Sequence, residues 1–370
     1  MKKKVLFIIW SYTFGGGAEA LLTTIVNHLN PQKYDISIIE YFNSGIKKEP
    51  VNSNIHILPA ICSGNKIRKK FHTLLLYLSP QLLIDRYIKD DYDLYIAFNY
   101  LVPSFLLPKN TRNIQWIHGN VYDLQERKEV WKWKIQDHAL DRADRVVVIS
   151  DYTEQSVKKL FPRHEKKLVK LYNGIDTETI KNKALEETNI RLENPSVVFV
   201  GRLENGKDPL RCIDVLKLVH QKYGGGVHLY LMGEGELRNA IVQKADEYKL
   251  SDFVHLLGYQ QNPFPIIQQC NVICVLSRSE GFGLCWLEGL VLGKPFVGTI
   301  TGAAEQLSNN CRCGYAVQTD EEAAEAIVTL INTDKEKIAI ECEKSVCRFE
   351  FNSYIQSIEH LMDNVINGKE

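Results

Sequence analysis

The chain has 370 residues, 45% of them hydrophobic and 24% charged, so it can bury a sizeable core, and its length favours two domains over one. Lys and Arg number 45, Asp and Glu 45, and this zero net charge argues against a nucleic-acid backbone as the main partner, because such binding runs on excess positive charge. The nine cysteines form an odd count without repeating spacing and read as reduced thiols of a cytosolic protein rather than a disulfide framework. Neither Cys311-x-Cys313 nor Cys270-x3-Cys274 has the second pair or nearby histidines of a zinc site.

The N-terminus imitates a secretory leader with Lys2-Lys3-Lys4, the apolar run Val5–Trp10 and Ala18-Glu19-Ala20. The run is short and ends in polar Ser11 and Thr13, which suits a buried first strand followed by a glycine-rich turn. Further short apolar runs follow at Ile36–Tyr41, Ile55–Pro59, Leu94–Phe98, Ile114–Ile117, Val146–Ile149 and Leu168–Tyr172. A second series comprises Val197–Val200, Val227–Met232, Val254–Leu257, Val272–Leu276, Phe296–Thr299 and Tyr315–Val317. Short strands alternating with helical patterns predict two α/β domains with parallel sheets. Between the series, Asn173 to Ser196 is polar and lacks strand character, so the hinge is expected there. Phe351, Ile355, Ile358, Leu361 and Val365 fall at helical spacing and predict a terminal amphipathic helix. No stretch approaches the ~20 apolar residues that span a bilayer. Two such sheets facing each other would form a cleft at the carboxyl ends of their strands, so function is sought in the loops that follow strands.

Three loops carry chemistry. After the first strand, Gly15-Gly16-Gly17-Ala18-Glu19 opens a helix with Leu21, Leu22, Ile25 and Val26, a pattern that lets backbone amides approach a phosphate. Gly15-x-Gly17-x-x-Ala20 with Glu40 also fits a dinucleotide fingerprint, although four residues after Trp10 precede the first glycine where the fingerprint has almost none. Gly201-Arg202-Leu203-Glu204-Asn205-Gly206-Lys207 follows a strand and offers two cations to a diphosphate. Ser279-Glu280-Gly281-Phe282-Gly283 makes a tight turn into a helix that carries Glu288, giving amides for phosphate and carboxylates for sugar or ribose hydroxyls.

In this order and spacing the chain resembles a GT-B glycosyltransferase of the large retaining family 4, also called glycosyl transferases group 1. The E-x7-E motif matches Glu280 and Glu288, the G-R-L-x-x-x-K loop matches Gly201-Arg202-Leu203 and Lys207, and the N-terminal glycine loop matches Gly15–Gly17. Trp116-Ile117-His118-Gly119 stands at the family's active-site histidine, Asn173-Gly174-Ile175-Asp176 at its interdomain turn, and Gly302-Ala303-Ala304-Glu305 where G-G-x-x-E is usual. Asp208 replaces a glycine that often follows the loop lysine.

The resemblance implies two Rossmann-like domains facing across a cleft: an acceptor-side domain over 1–177, a donor domain over 178–348, and a helix over 349–370 returning to the first. It implies Arg202 and Lys207 on the donor diphosphate with amides of Gly16, Gly17 and Gly283, and Glu288 on the ribose. Glu280 would take hydroxyls of the transferred sugar, His118 would sit near the anomeric centre, and Gly258, Tyr259 and Gln260 would meet the base. A lone histidine is more often structural, and the motif context is what lifts His118. Transfer would be metal-independent and without cofactor, because Asp91-Tyr92-Asp93 precedes its strand where a metal-binding D-x-D would follow it.

The expected activity is a retaining sugar transfer (EC 2.4) from a nucleotide sugar, UDP-linked by preference, to a saccharide or lipid-linked acceptor in cell-surface polysaccharide or glycolipid synthesis. The competing readings are a non-catalytic nucleotide-sugar-binding subunit of a transferase pair and a nucleotide-sugar epimerase. The expected location is the cytoplasm, with peripheral contact to the inner face of the cell membrane as one reading of Lys66, Arg68, Lys69, Lys70 and His72 beside Leu74-Leu75-Leu76 and Leu82-Leu83-Ile84. The other reading is an ordinary amphipathic core helix with a solvated basic end. Trp131-Lys132-Trp133-Lys134 could serve the same interface, and its other reading is packing tryptophans with snorkelling lysines.

Overall fold

The structure is a computed structural model that describes residues 2–13, 17–43, 45, 50–63, 66–121 and 130–369, the side chains of 66–69 excepted. It divides into two compact units, Met1–Tyr172 with Asn352–Glu370, and Asn173–Phe351.

The first unit is built on β1 (Lys3–Ile9), β2 (Tyr34–Glu40), β4 (Ile55–Ile57), β6 (Leu94–Ala97), β7 (Asn113–Ile117), β8 (Arg145–Val148) and β9 (Leu168–Lys170). They form one seven-stranded sheet in the order β4-β2-β1-β6-β7-β8-β9, with parallel pairing throughout. β1 lies inside the sheet, which explains its unbroken apolar run: Val5, Leu6, Phe7 and Ile8 are all fully buried, as a strand covered on both faces requires. The run that resembled a leader is therefore core. A small parallel pair, β3 (Phe42–Asn43) with β5 (Cys62–Ser63), was not foreseen, since two residues carry no periodicity.

The amphipathic helix Phe351–Ile366 belongs mostly to this first unit. Glu359 accepts a hydrogen bond from the amide of Asn30 at 2.7 Å, and the Tyr34 hydroxyl donates to Asp363 at 2.7 Å. Lys33 pairs with the same Asp363 at 3.1 Å. The helix buries Ile358 and Met362 completely.

The second unit holds β10 (Ser196–Val200), β11 (His228–Met232), β12 (Val254–Gly258), β13 (Val272–Val275), β14 (Phe296–Thr299) and β15 (Gly314–Val317). Their order is β12-β11-β10-β13-β14-β15, again parallel. The strand order reverses direction between β10 and β13, the position in an open α/β sheet where ligands are commonly bound by the loops after the strands. The polar stretch after Asn173 contains a helix, Thr177–Ala184, whose N-cap Asp176 accepts from the amide of Thr179 at 3.0 Å. Ile175 donates to the carbonyl of Phe349 at 3.0 Å, which ties this segment into the second unit. The division accordingly falls at Tyr172/Asn173 and Phe351/Asn352 rather than after 177 and 348.

Candidate functional site

In the second unit the loops at the carboxyl edge of the sheet are bound to one another. Leu203 donates to the carbonyl of Glu234 at 2.9 Å, Gly233 to that of Gly258 at 2.8 Å, and Arg278 to that of Gly206 at 3.0 Å. Glycine makes these approaches possible. A Cβ on Gly233, which has φ +144, would lie 1.9 Å from the carbonyl oxygen of Gly201, and one on Gly235 2.3 Å from that of Leu203. The loop after β14 joins the group through the amide of Ala303, which donates to Phe282 at 2.8 Å.

Lys207 and Glu280, from the loops after β10 and β13, meet there. The Lys207 ammonium lies 2.6 Å from Glu280 Oε1, and the Ser277 hydroxyl donates to the same oxygen at 2.6 Å. Glu280 is only 8% exposed, so its charge is held by these two partners rather than by water. Burial alone would lower the Lys207 ammonium, and Glu280 beside it holds it above its ordinary value. Arg202 stands in the same loop as Lys207 with an exposed side chain, its guanidinium 2.9 Å from Glu204.

Asp208, where the resemblance led glycine to be expected, sits in the left-handed region at φ +47. Aspartate tolerates that conformation better than most side chains, and its carboxylate accepts from Arg278 Nε at 2.9 Å. The departure from the family pattern thus becomes a second ionic link between the loops that supply Lys207 and Glu280.

Gly283 precedes the helix Leu284–Val291 with φ +94, and a Cβ there would lie 2.1 Å from the Trp286 ring. Trp286 is fully buried and stacks on Phe296 at 5.3 Å, so it has nowhere to move. The close turn brings the N-terminus of this helix to the sheet edge; the Trp286 amide already donates to the Gly283 carbonyl at 3.0 Å, so the amides of Leu284 and Cys285 are the ones placed for an anion. Glu288 lies on this helix, partly buried, with no hydrogen bond or ion pair among the described residues. Burial pushes its carboxyl up to about 7, opposed by the more distant Lys183 ammonium. In the turn after β12, Gly258 has φ +70, Tyr259 is exposed, and the Gln260 side-chain amide donates to the carbonyl of Leu257 at 2.7 Å.

In the first unit His118 follows β7. Its ring lies 4.4 Å from that of Phe98 and 6.0 Å from that of Trp116, and its Nε2 is buried without a hydrogen-bond partner among the described residues. Burial holds the imidazole neutral, with its pKa pulled down to about 3. Gly17 begins the helix Gly17–His28, while Gly15 and Gly16 lie outside the described residues. Glu40, the acid of the dinucleotide alternative, accepts from the amides of Tyr12 and Thr13 at 2.9 and 3.1 Å and from the Asn43 side chain at 2.7 Å. It braces the loop after β1, with Oε2 taking the amides of Tyr12 and Thr13 and the Thr13 hydroxyl. Asp93, of the D-x-D imitation, accepts from the Lys4 amide at 2.8 Å at the amino edge of the sheet. Among the described residues no group of three or more His, Cys, Asp or Glu side chains is placed to hold a metal.

The structure therefore gathers Arg202, Lys207, Glu280, Gly283 and the Gly258 turn at one sheet edge, and Glu288 on the helix leading from it. Ser277, Gly233 and Gly235 were missed. A Gly-x-Gly directly after the strand ending at Met232 was the available signal for the last two.

Residues 15–179 match the family described as Glycosyltransferase Family 4, and residues 194–333 match Glycosyl transferases group 1. The chain is 26% identical over 357 residues to the N-acetylgalactosamine-N,N'-diacetylbacillosaminyl-diphospho-undecaprenol 4-alpha-N-acetylgalactosaminyltransferase of Campylobacter jejuni, covering 90% of this chain and 92% of that protein. Among solved structures, HepE of Anabaena in complex with UDP superposes with a TM-score of 0.72 at 18% identity, covering 98% of this chain and 100% of the other. The sucrose-phosphate synthase of Thermosynechococcus elongatus superposes with a TM-score of 0.79 at 17% identity, covering 99% and 100%. With both halves matched, the chain belongs to glycosyltransferase family 4, the glycosyl transferases group 1, and has the GT-B fold.

Proposed function

We propose that the protein is a retaining, metal-independent glycosyltransferase that moves a sugar from a UDP-sugar to a saccharide or lipid-linked acceptor in the synthesis of a cell-surface polysaccharide or glycolipid. It works in the cytoplasm, at the inner face of the membrane where the acceptor is lipid-linked. The lipid-linked acceptor is suggested by the name of the Campylobacter relative, and the uridine base by the UDP bound to HepE.

The observation that carries the reading is the Lys207–Glu280 pair. Among the described residues Oε1 of Glu280 receives both Lys207 and Ser277, so Oε2 is left to accept from a sugar hydroxyl, and two of the three ammonium protons remain for a phosphate oxygen. Arg202, Lys207 and the N-terminal amides of the helix after Gly283 neutralise the diphosphate as it departs. Glu288 accepts from the ribose, and the turn at Gly258, Tyr259 and Gln260 meets the base. His118, neutral at physiological pH, hydrogen-bonds the transferred sugar through Nε2, which has no partner among the described residues. In the reaction the bond from the anomeric carbon to the diphosphate oxygen breaks, and the acceptor oxygen bonds to that carbon on the same face. The acceptor's proton passes to the departing phosphate, so no protein base is required.

Arg202→Ala and Lys207→Ala test this. Each should weaken UDP binding by calorimetry and lower kcat/KM for the donor by about 30- to 1,000-fold, from about 2–4 kcal/mol of lost charge stabilisation. Proton NMR of the product should show the donor's anomeric configuration kept. Unchanged UDP affinity in both variants, or an inverted product, would refute the assignment.

A further inference from the structure

The backbone ladder of the first sheet continues past the carboxyl ends of β1 and β2. Tyr41 donates to the carbonyl of Ile9 and Phe42 to that of Trp10, each at 2.9 Å, and the β3–β5 pair ties Phe42 to Cys62. Trp10 is fixed on this frame, its ring stacked with those of Tyr41 at 5.3 Å and Phe42 at 6.2 Å. Tyr41 is buried, so the indole rests on the core, yet 36% of Trp10 faces solvent. A single exposed apolar side chain is ordinary on a protein surface. One held rigid at the edge of the sheet where ligands are bound is a preformed contact surface, because it loses little freedom when a ligand settles on it.

The chemistry of that edge narrows the ligand. The loops after β2, β1, β6 and β7 leave the ends of four adjacent parallel strands. Their described residues 10–13, 41–43, 98–101 and 118–121 include no Asp, Glu, Lys or Arg, in a chain of which 24% is charged, and burial keeps His118 neutral. They carry aromatic rings and uncharged polar groups instead, with Asn43, Asn99 and Tyr100 half-buried. A phosphate or carboxylate would meet no cation on these residues. A pyranose suits them on both counts, with ring C–H groups to lay on an indole and hydroxyls to exchange hydrogen bonds with amides and phenols. Two strand separations, roughly 10 Å, lie between β1 and β7. A sugar on Trp10 is therefore close enough to belong to the acceptor of the sugar that His118 holds.

We propose that the loops after β1, β2 and β6 bind the acceptor's terminal sugar, a neutral pyranose stacked on Trp10, and that an acceptor offering only a phosphorylated polyol or a bare phosphate is refused. The inference rests on the glycosyl-transfer reading and narrows its acceptor to a saccharide, whether free or carried on a lipid.

The test is saturation-transfer NMR on the full chain in the presence of UDP, with the methyl pyranosides of glucose, galactose, N-acetylglucosamine and N-acetylgalactosamine, and with glycerol phosphate as the charged polyol. At least one pyranoside should take up saturation, most strongly at the C–H protons of one ring face, and glycerol phosphate should not. Trp10→Leu keeps an apolar side chain over Tyr41 but removes the planar face, so the signal should fall at least about fivefold, whereas Trp10→Phe restores a ring and should keep about half of it. Melting temperatures within a few degrees of the parent's distinguish a lost contact from a lost fold. In the parent, the indole N–H resonance of Trp10 should shift with the same pyranoside, a readout that does not depend on a stable variant. Saturation of none of the pyranosides, an unmoved Trp10 resonance, an equal signal in Trp10→Leu, an equal loss in Trp10→Phe, or a preference for glycerol phosphate would overturn the proposal. Failure of the glycosyl-transfer reading would be seen separately, as absent UDP binding by the parent chain.

Discussion

Replacing Glu288 by Gln should remove a pH dependence from nucleotide binding. Burial raises this carboxyl from its ordinary value of 4.5 to about 7. The ionised form is disfavoured in the folded protein, so the associated stability is fully present below about pH 4.5 and is lost as pH rises through about 7. At 1.36 kcal/mol per pH unit the interval corresponds to about 3 kcal/mol, and Glu288→Gln should be more stable than the parent by up to that amount at about pH 8. Ribose hydroxyls are donors and favour the ionised carboxylate, so nucleotide binding pulls in the opposite direction and releases a proton. About a tenth of the group is ionised at pH 6 and about nine-tenths at pH 8, so UDP affinity should rise by about tenfold across that range, beyond any change due to the nucleotide's own phosphate. Calorimetry at both pH values, in two buffers of different ionisation heat, measures affinity and proton release together. The Gln variant retains the phosphate's contribution and serves as the baseline. Equal pH dependence in parent and variant would show that Glu288 does not bind the nucleotide through an ionised carboxylate.

Glu280→Gln should lower turnover of the donor strongly while UDP still binds well, because it removes the charge facing the sugar and releases Lys207 from its ion pair to the diphosphate; lost UDP affinity would count against that division. Gly283→Ala should cost about 3 kcal/mol or more and lower the melting temperature by several degrees, since it combines positive φ with a clash against a fixed indole; an unchanged melting temperature would show that the turn relaxes freely. EDTA should leave transfer intact, and a loss restored by manganese or magnesium would assign the phosphate charge to a metal instead.

The parallel sheets were legible because a strand buried on both faces must be apolar along its whole length, and Val5–Ile9 or Val272–Val275 have no other means of being covered. The helix Thr177–Ala184 was not, since one buried residue, Ile180, gives no apolar stripe to count. The Lys207–Glu280 pair joins residues far apart in the sequence, and spacing within a loop cannot report which distant carboxylate a lysine meets. Glu40 shows the converse. Its position after a strand suited a ribose acid, but the amides of Tyr12 and Thr13 claim the carboxylate, and only coordinates reveal that competition.

The return of the last helix to the first unit orders the making of the protein. Residues 173–351 form an uninterrupted stretch and can complete their own sheet as soon as they leave the ribosome. The first unit emerges earlier but must wait for the last residues to be closed, because the Asn30 amide, the Lys33 ammonium and the Tyr34 hydroxyl each bond to Glu359 or Asp363. The half synthesised first is therefore the half finished last. A stop codon shortly after residue 351 would leave the second unit whole and the first without its closing helix, an unequal injury from one truncation.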